Sequence, residues 1–460
     1  MTGVYNHAWL TPYNMEYITQ IEIDRSMNVH DKAYVKGMIS ETSLLAYQNM
    51  MDGKTVISLF FQEDEQTQLL FAGFIERMKV TELGEQREVW MELSGLTQVL
   101  DRTKVILDYQ DITKTNKGMI EELMKSYPDI DCDINCPDET IQDFMMQYEE
   151  SDYEFAGRVL SRVGAPVYTT MQGKNGRICY GLSVRDTEVV LNQAEWEVSY
   201  DAGEKYRLET DEYLDLGMEI ELDGHKLIVI SVHNRYLQGE SVNEYMLGTK
   251  EACATARWTN HEVTGISMDG VIKDCKRDKV KIELSKTTPC EEDKRKWFAY
   301  SSPAASTDGS GWYCMPVIGE EIRLFCPTDD ENDAYVISAI RKKQEGQTDS
   351  LNQQGKQAGQ QPENKVLSNA EGQSVSFLPQ GIEMTCADSA AAMFLNQDGT
   401  IEIVAQKDIR IYADETVMMR AERGMCITSA NAMTISNDSG STLVIDTEIT
   451  ENANRIRNNC

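Results

Sequence analysis

The feature that most constrains this chain is an eight-residue repeat near its C-terminus. Between residues 401 and 437 a pair of apolar residues, spaced i and i+2, recurs in the same register in consecutive octads. These residues form what we call the apolar stripe: Ile401, Ile403, Ile409, Ile411, Val417, Met419, Met425, Ile427, Met433 and Ile435. A small residue follows four positions after each first member, namely Ala405, Ala413, Ala421, Ser429 and Asn437. The period therefore predicts short strands joined by tight corners.

An i, i+2 pair places both side chains on one face of a strand. Eight residues cannot close a rung around a core unaided, because a single-chain solenoid rung takes about 20 residues or more. Burying the ten side chains is worth about 1.5 to 3 kcal/mol each, so roughly 15 to 30 kcal/mol is lost if the stripe stays in water. Three chains that each give one strand per level would close a triangular rung. We predict a homotrimeric, triple-stranded β-helix (β-prism), with a single-chain solenoid or an evenly spaced sandwich as alternatives.

The sequence before the repeat divides into regions of different composition. Met393 with Leu395 extends the register one unit upstream, so the predicted octad-repeat spike covers 375–460. Residues 342–374 are rich in Gln, Gly, Asn and Lys and nearly free of large apolar groups, which is typical of a flexible linker. Between 262 and 341 about five short strands separated by polar turns predict a small OB-like barrel.

Residues 1–255 predict a β-rich hub region with short helices. Apolar or alternating runs indicate strands at 55–61, 69–75, 88–94, 177–184, 225–237 and 243–250. One amphipathic helix is expected just before Pro128, and a second at 151–163, where Ser151 and Glu154 have capping-box spacing. We expect two β-barrel subdomains in this region, the first from about 1–110 plus later strands. The fold class is thus mainly β with minor α.

Composition limits the classes of partner and compartment. The chain carries 44 Lys plus Arg against 76 Asp plus Glu, and a net charge of -32 repels phosphate backbones, so nucleic acid is not an expected partner. No basic segment followed by an apolar run opens the sequence, and no stretch of about 18 apolar residues occurs. We therefore expect assembly in the cytoplasm without a signal peptide. The 11 cysteines contain no CxxC pair, which favours reduced thiols.

No pattern of catalytic residues is found in the sequence. The five histidines form neither an HExxH motif nor a local ligand cluster, and GxSxG, GxxxxGK[ST] and GxGxxG are absent. Carboxylates are so abundant that a pair spaced for glycoside hydrolysis would be expected by chance, so such a pair does not indicate a hydrolase. Cys132 and Cys136 lie among carboxylates, which raise thiol pKa values and do not activate a nucleophile. We predict no catalytic residue, no cofactor and no metal.

Several motifs resemble those of a known family. The segment 147–158 is similar to a Q-Y-x-E-S-D-x-x-F-x-x-R pattern, carried here by Gln147, Tyr148, Glu150, Ser151, Asp152, Phe155 and Arg158. Residues 69–78 and 89–104 resemble the first hub barrel of that family, and a Pro-x-x-Gly-Glu-Glu string at 316–321 resembles its spike-base OB domain. With the order of hub, barrel and octad repeat, the chain resembles the VgrG-type spikes of type VI secretion and the fused hub and spike of contractile phage tails and tailocins.

This resemblance implies a mechanical role. A family member caps the inner tube protein within a baseplate and is driven into or released outside a target cell, crossing the target membrane transiently. It implies a homotrimer, contacts with other baseplate components and a possible effector cargo. Some relatives insert a lysozyme-like domain where this chain has the polar linker, so cell-wall hydrolysis is not implied. Some spike tips hold a metal through histidines, but the last histidine here is His261. A separate PAAR-like tip protein is therefore expected.

Two other functions fit an acidic, trimeric β-rich chain. A β-helical polysaccharide depolymerase on a phage tail would also be trimeric, and it would reduce capsule viscosity. A receptor-binding adhesin would use the repeat as a stalk and would need a C-terminal head. Only about 15 residues follow Ile445, which favours the spike over the adhesin.

Overall fold

The computed structural model describes most of the chain. The described residues are 8–12, 15–63, 66–186, 191, 194–200, 204–237, 240–286, 288–301, 315–338, 365–368, 373–386, 390–445 and 449–452. The chain divides into two compact units, Met1–Arg341 and Lys342–Cys460. Within the described part, no helix combines the length and the apolar character needed to span a membrane.

The first unit is built mostly from strands. Its first eleven strands are β1 (Ala8–Thr11), β2 (Tyr17–Ser26), β3 (Lys32–Met38), β4 (Ile57–Glu63), β5 (Gln66–Leu83), β6 (Gln86–Gly95), β7 (Lys104–Tyr109), β8 (Cys132–Ile134), β9 (Met145–Ser151), β10 (Val167–Thr170) and β11 (Arg177–Tyr180). The other eleven are β12 (Arg185–Asp186), β13 (Ala194–Tyr200), β14 (Glu204–Thr210), β15 (Met218–Leu222), β16 (His225–Leu237), β17 (Glu240–Gly248), β18 (Ser267–Lys276), β19 (Lys279–Leu284), β20 (Phe298–Tyr300), β21 (Glu321–Phe325) and β22 (Tyr335–Ser338).

Twelve of these strands form one continuous sheet, which we call the hub sheet. Its order is β1-β4-β5-β6-β3-β2-β16-β17-β14-β13, and β15 extends it by pairing with β16 and β12. Each half of the sheet has its own apolar core, one around Val35, Phe71 and Met91 and the other around Leu208 and Leu247. The pairing of β2 with β16 joins the two halves into a single structure. The division of 1–255 into two β-barrel subdomains stays a prediction.

A buried charged cluster stabilises the junction between the two halves. Arg25 on β2 is 1% exposed, and its guanidinium lies 2.8 Å from an oxygen of Asp215 and 3.5 Å from one of Asp31. It also donates a hydrogen bond of 2.8 Å to the carbonyl of Thr169. Burial raises the pKa of the Asp31 carboxyl to about 6, against the attraction of Arg25. Asp215 also pairs with Arg185 at 3.2 Å, whereas Asp31 has Arg25 as its ion-pair partner and is costly to ionise because it is buried.

This shifted pKa predicts a pH effect on stability. The folded-state pKa of Asp31, about 6, lies above its ordinary 3.8, so the folded state holds the proton more tightly than the unfolded state. The stabilising contribution is complete below the unfolded pKa and is lost as the pH rises through about 6, for a total of roughly 1 to 3 kcal/mol. Asp31→Asn removes this dependence. We expect urea unfolding between pH 4.5 and 7.5 to show a smaller loss of stability in the variant, and equal slopes would contradict the assignment.

In the described part of the first unit, the remaining elements are three α-helices and several short 3-10 turns. The helices are α1 (Glu41–Asn49), α2 (Asn116–Met124) and α3 (Asp152–Ser161). The 3-10 turns are Leu96–Asp101, Lys250–Cys253, His261–Val263, Glu292–Lys294 and Glu331–Asp333. Helices α2 and α3 lie in the two segments that the sequence predicts as helical. Helix α1 was not predicted, because only Leu44 and Tyr47 are buried on it and its apolar face is weak.

The strands β18 to β22 close into a barrel in the order β18-β19-β20-β22-β21. Its interior is apolar, with Ile272, Val280, Ile282 and Leu324 almost fully buried. Five short strands closed around one core confirm the OB-like barrel predicted from the sequence.

The second unit contains two groups of antiparallel strands. The strands are β23 (Lys365–Ser368), β24 (Ser374–Leu378), β25 (Gly381–Cys386), β26 (Ala391–Asn396), β27 (Ile401–Ala405), β28 (Met433–Ser436), β29 (Thr442–Ile445) and β30 (Ile449–Asn452). The first five form one meander and the last three form another. Residues 406–432 between them have no strand. Of the predicted linker 342–374, only 365–368 and 373–374 lie within the described residues, and β23 occupies most of them.

The meanders differ from the predicted octad corners at two places. Hairpins join β26 to β27 and β28 to β29, and Gly399 and Gly440 in their turns both have a φ of 88°, which favours glycine. In the first hairpin Met393 and Leu395 pair with Ile403 and Ile401, so the apolar residues of both strands share one face. Sequence periodicity alone did not distinguish these glycine turns from octad corners. The triple-stranded β-helix of 375–460 stays a prediction.

Candidate functional site

The segment that carries the most specific motif forms the end of β9 and the start of α3. The hydroxyl of Ser151 accepts a hydrogen bond of 3.1 Å from the amide of Glu154, and the Glu154 carboxylate accepts one of 2.9 Å from the amide of Ser151. This is the capping box that the sequence spacing predicts. The capping box fixes the residue at which α3 begins. The position of that residue sets the direction in which each later side chain leaves the helix.

Three further residues of the motif, Gln147, Asp152 and Phe155, contact their neighbours in the hub around this helix. The carboxylate of Asp152 accepts hydrogen bonds from the Gln147 side chain, at 2.8 Å, and from the hydroxyl of Tyr127, at 2.7 Å. Burial and this bond to Asp152 together raise the pKa of Tyr127. The ring of Phe155 stacks on Tyr109, with centroids 4.9 Å apart. These motif residues therefore have a structural role.

Arg158 on α3 is the centre of a buried ion-pair network. Its Nε and Nη2 atoms donate hydrogen bonds of 2.9 and 2.8 Å to the two carboxylate oxygens of Glu150. Its Nη1 atom donates one of 2.6 Å to Glu331, and Nη2 also donates one of 2.8 Å to the carbonyl of Met146. Arg158, Glu150 and Glu331 are each at most 5% exposed. We call these three residues the hub joint.

The hub joint links the hub to the barrel. Glu150 and Arg158 belong to the hub motif, whereas Glu331 precedes the last barrel strand, β22. Burial raises the pKa of the Glu150 carboxyl, although Arg158 acts in the opposite direction, and the nearby Glu331 carboxylate adds to the rise. Because two carboxylates share one guanidinium away from water, removal of Arg158 leaves both uncompensated.

Apolar contacts surround the ion pairs at the same place. Phe144 and Met146 pack into the core of the barrel, and the ring of Phe144 meets that of Phe298 edge to face at 5.1 Å. Trp258 lies over α3 at Gly157, where an added Cβ would come within 2.2 Å of the indole ring. Hub and barrel are therefore joined by a mixed polar and apolar contact that excludes water.

One side of the hub joint is visible in the sequence, and the other side is not. Glu150 and Arg158 were recognised as motif residues, but their pairing partner Glu331 was not identified. It lies in an acidic stretch, Asp329–Asp333, that is indistinguishable by composition from many others in a chain with 76 acidic residues. Only its contact with Arg158 separates it from a surface carboxylate.

The apolar stripe is the second candidate site. Nine of its ten residues are between 49% and 67% exposed in a single chain: Ile401, Ile403, Ile409, Ile411, Val417, Met419, Met425, Ile427 and Ile435. Met433 is half-buried. The structure brings Ile401 and Ile403 into β27 and places Ile409 to Ile427 in the segment without strands. A contiguous row of exposed Ile, Val and Met side chains of this length is typical of an interaction surface.

The first unit also contains potential metal ligands and thiol groups. Among the described residues, one group could hold a metal ion: Glu22, Asp24 and His233, whose ligand atoms lie within 4.8 Å of one another. Asp24 and His233 face each other across β2 and β16 and are hydrogen-bonded to one another. Burial is the main cause that raises the pKa values of the Cys132 and Cys136 thiols, which keeps them protonated and poorly nucleophilic.

Taken in order, a hub sheet with a helical motif, a five-stranded OB-like barrel and a β-rich C-terminal unit define a hub-and-spike fold. The barrel matches the family model of the type VI secretion system/phage-baseplate injector OB domain over residues 268–340. No curated protein matches the chain.

Solved structures share this fold across most of the chain. One is the E. coli c3393 protein, a component of the type VI secretion system described as similar to the T4 bacteriophage tail proteins gp27 and gp5. It has 13% identity and a TM-score of 0.53, over 72% of this chain and 98% of that one. Another is the Francisella PdpA-VgrG complex, with 8% identity and a TM-score of 0.54, over 86% of this chain and 87% of that one. The chain therefore has the fold of a VgrG-type hub and spike with an injector OB domain.

Proposed function

We propose that this chain is the central hub and membrane-puncturing spike of a contractile injection system, working as a homotrimer. The hub region caps the inner tube, the barrel supports the neck, and the C-terminal unit penetrates the target envelope. The machine is a phage tail, a tailocin or a type VI-like secretion system. The role is mechanical and not enzymatic.

The observation that carries this proposal is the exposure of the apolar stripe in a chain that also contains an injector-type barrel. Nine large apolar side chains, each about half or more exposed in one chain, cost too much to leave in water. Three copies in parallel would bury all three stripes against one another, which explains both the octad period and the lack of strands at 406–432. A structure that punctures a membrane must resist bending, and a trimeric β-prism would be stiff.

The hub joint supports the same role. A spike transmits force from the tube to the target, so hub and barrel must move together. The joint supplies a buried, multidentate contact between them, through Arg158, Glu150 and Glu331. Buried ion pairs with fixed geometry specify one relative orientation of the elements that they connect.

The expected partners follow from this role. They are the inner tube protein, other baseplate components and a separate PAAR-like tip protein, with an effector as possible cargo. The chain is assembled in the cytoplasm and acts at or beyond the surface of the target cell. The alternative functions, a polysaccharide depolymerase or an adhesin, gain no support from the hub joint, because neither requires a rigid link between hub and barrel.

The test compares two changes in the producing cell. Deletion of the whole chain is expected to abolish assembled particles, because no hub is present to nucleate the tube. A chain that ends at Arg341 keeps hub and barrel, so particles are expected to form but to lose at least tenfold in target killing or delivery. Electron microscopy counts the particles, and a viability assay measures delivery. Normal particle numbers after full deletion would contradict the proposal.

A further inference from the structure

Three potential metal ligands lie together where the two halves of the hub sheet meet. Glu22 and Asp24 are two positions apart on β2, so both side chains lie on the face of the sheet opposite the buried Ile23. His233 on β16 pairs directly with Asp24, so its imidazole lies on the same face. One ligand atom from each of the three side chains lies within 4.8 Å of the other two. The backbone pairing of β2 and β16 therefore holds the three side chains together.

The basic residue opposite Glu22 is paired with a different carboxylate. Arg235 lies directly across from Glu22 in the register of β16 and β2. Its guanidinium is bound at 2.8 Å to Glu244 on β17, which also pairs with Arg207 at 2.8 Å. Glu22 itself makes no ion pair with any of the described residues, so its carboxylate is available to an ion from solvent.

Asp24 and His233 are bound to each other and are open to solvent. Lys32 on β3 lies opposite Asp24, yet within the described part of the chain Asp24 forms its ion pair with His233 and not with Lys32. The Asp24 side chain is 51% exposed, the His233 side chain is 29% exposed, and Glu22 is half-buried. An ion from solvent can therefore reach all three side chains.

The third ligand separates this cluster from an ordinary pair of a histidine and an aspartate. His261 and Asp329 also form such a pair, with Nδ1 2.9 Å from the carboxylate. Among the described residues no third potential ligand accompanies that pair, because the one group of three is formed by Glu22, Asp24 and His233. Three protein ligands are the number used by zinc sites that keep an open coordination position.

The donor atoms select the class of metal ion. One imidazole nitrogen and two carboxylate oxygens suit Zn²⁺, which binds such atoms at about 2.0 to 2.2 Å. Ca²⁺ and Mg²⁺ prefer oxygen ligands alone, so the imidazole disfavours them. An ion with bonds of this length holds its ligand atoms roughly 3 to 4 Å apart, and rotations of the solvent-accessible side chains bring the three donors to that separation.

We propose that Glu22, Asp24 and His233 bind a divalent transition-metal ion, best matched by Zn²⁺, that links β2 to β16. The ion takes one ligand atom from each side chain and replaces the hydrogen bond between Asp24 and His233, and water completes its coordination. Local sequence spacing does not show this site, because Asp24 and His233 are 209 residues apart. The proposal goes beyond the hub role, since all three ligands belong to one chain and binding requires neither the trimer nor the apolar stripe.

Titration calorimetry of the full-length protein with Zn²⁺ tests the site. His233→Ala and Glu22→Gln are each expected to bind Zn²⁺ at least tenfold more weakly than the wild type, because each removes one ligand. His261→Ala removes a histidine from a pair without a third ligand, so it is the matched control and is expected to bind like the wild type. Wild-type affinity in both His233→Ala and Glu22→Gln would overturn the proposal, and so would equal wild-type affinities for Zn²⁺ and Ca²⁺.

Thermal unfolding tests whether the ion links the two strands. Glu22→Gln replaces a carboxylate with an amide of the same shape at a half-buried position, so its midpoint without zinc is expected to equal that of the wild type. Saturating Zn²⁺ is expected to raise the midpoint by a few degrees in the wild type and in His261→Ala, because the ion binds the folded state, and to leave Glu22→Gln nearly unchanged. A zinc-induced rise of the same size in Glu22→Gln and the wild type would contradict the proposal.

Discussion

Met419→Asp is expected to prevent the C-terminal units from associating, whereas Met418→Asp is expected to leave the association intact. Met419 belongs to the apolar stripe, and Met418 lies between two stripe residues, so in the strand predicted for the trimer it faces the opposite side. Each trimer of the Met419 variant would bury three unpaired carboxylates, at roughly 2 to 7 kcal/mol for each polar group. Ile411→Asp is expected to act in the same way. Analytical ultracentrifugation measures the association.

The Met418 and Met419 variants control for each other closely, since the same residue type is replaced by the same acid at adjacent positions. In a single chain Met418 is 83% exposed and Met419 is 64% exposed. If the chain stayed a monomer, the two substitutions would therefore have similar effects on it. A protease-resistant C-terminal fragment is expected in the wild type and in Met418→Asp only. If Met419→Asp and Ile411→Asp also keep an undiminished trimer with that fragment, the inward assignment of the stripe is wrong.

Arg158→Met is expected to lower the free energy of unfolding of the hub and barrel by about 3 to 5 kcal/mol at neutral pH, because it leaves two buried carboxylates without their cation. The loss should be smaller at acidic pH, because burial raises the pKa of the Glu150 carboxyl and the protonated group no longer needs the cation. Urea unfolding followed by tryptophan fluorescence measures both effects. Trp258 lies against α3 and reports directly on the joint.

Two further variants separate the ion pairs from packing. Arg177→Met removes a pair with Asp133, at 2.8 Å, in which both side chains are about one-third exposed, and it is expected to cost about 1 kcal/mol or less. The triple variant Arg158→Met, Glu150→Gln, Glu331→Gln replaces the network with neutral groups and is expected to recover most of the loss. A triple variant as unstable as Arg158→Met would mean that the arginine acts through shape and not through charge.

Much of the hub could be predicted because its strands are half-buried and alternate. The run at 225–237 coincides with β16, and the runs at 55–61, 69–75 and 88–94 fall on β4, β5 and β6. Helix α3 was predictable from its capping box, since one Ser and one Glu at the required spacing fix its start. Apolar alternation and capping-box spacing each depend on residues close together in the chain, so both can be read from the sequence alone.

The features that were not predicted depend on contacts between distant residues. Glu331 becomes part of a site only through Arg158, 173 residues earlier. The junction of the two sheet halves depends on Arg25 meeting Asp215 across a similar separation. Neither ion pair produces a periodic pattern or a change in composition. The burial of these residues and the identity of their partners are therefore evident only in the structure.

In the C-terminal unit the sequence signal is clear, but the structure of one chain lacks the predicted arrangement. Its octad period is clear in the sequence, yet one chain leaves residues 406–432 without strands and the stripe in solvent. If its partner strands come from other copies, as we propose, the repeat specifies an interface that no single chain can contain. The hairpins at β26-β27 and β28-β29 form because glycine turns allow local pairing there.

The proposed trimeric spike is tested most directly by the mass of the purified full-length chain, measured by light scattering coupled to size exclusion together with that of a chain ending at Arg341. We expect a full-length mass near three times 52.1 kDa and weaker association of the shortened chain, which lacks the apolar stripe. A stable full-length monomer at 52.1 kDa would contradict the trimeric spike and would require the octads to close within one chain.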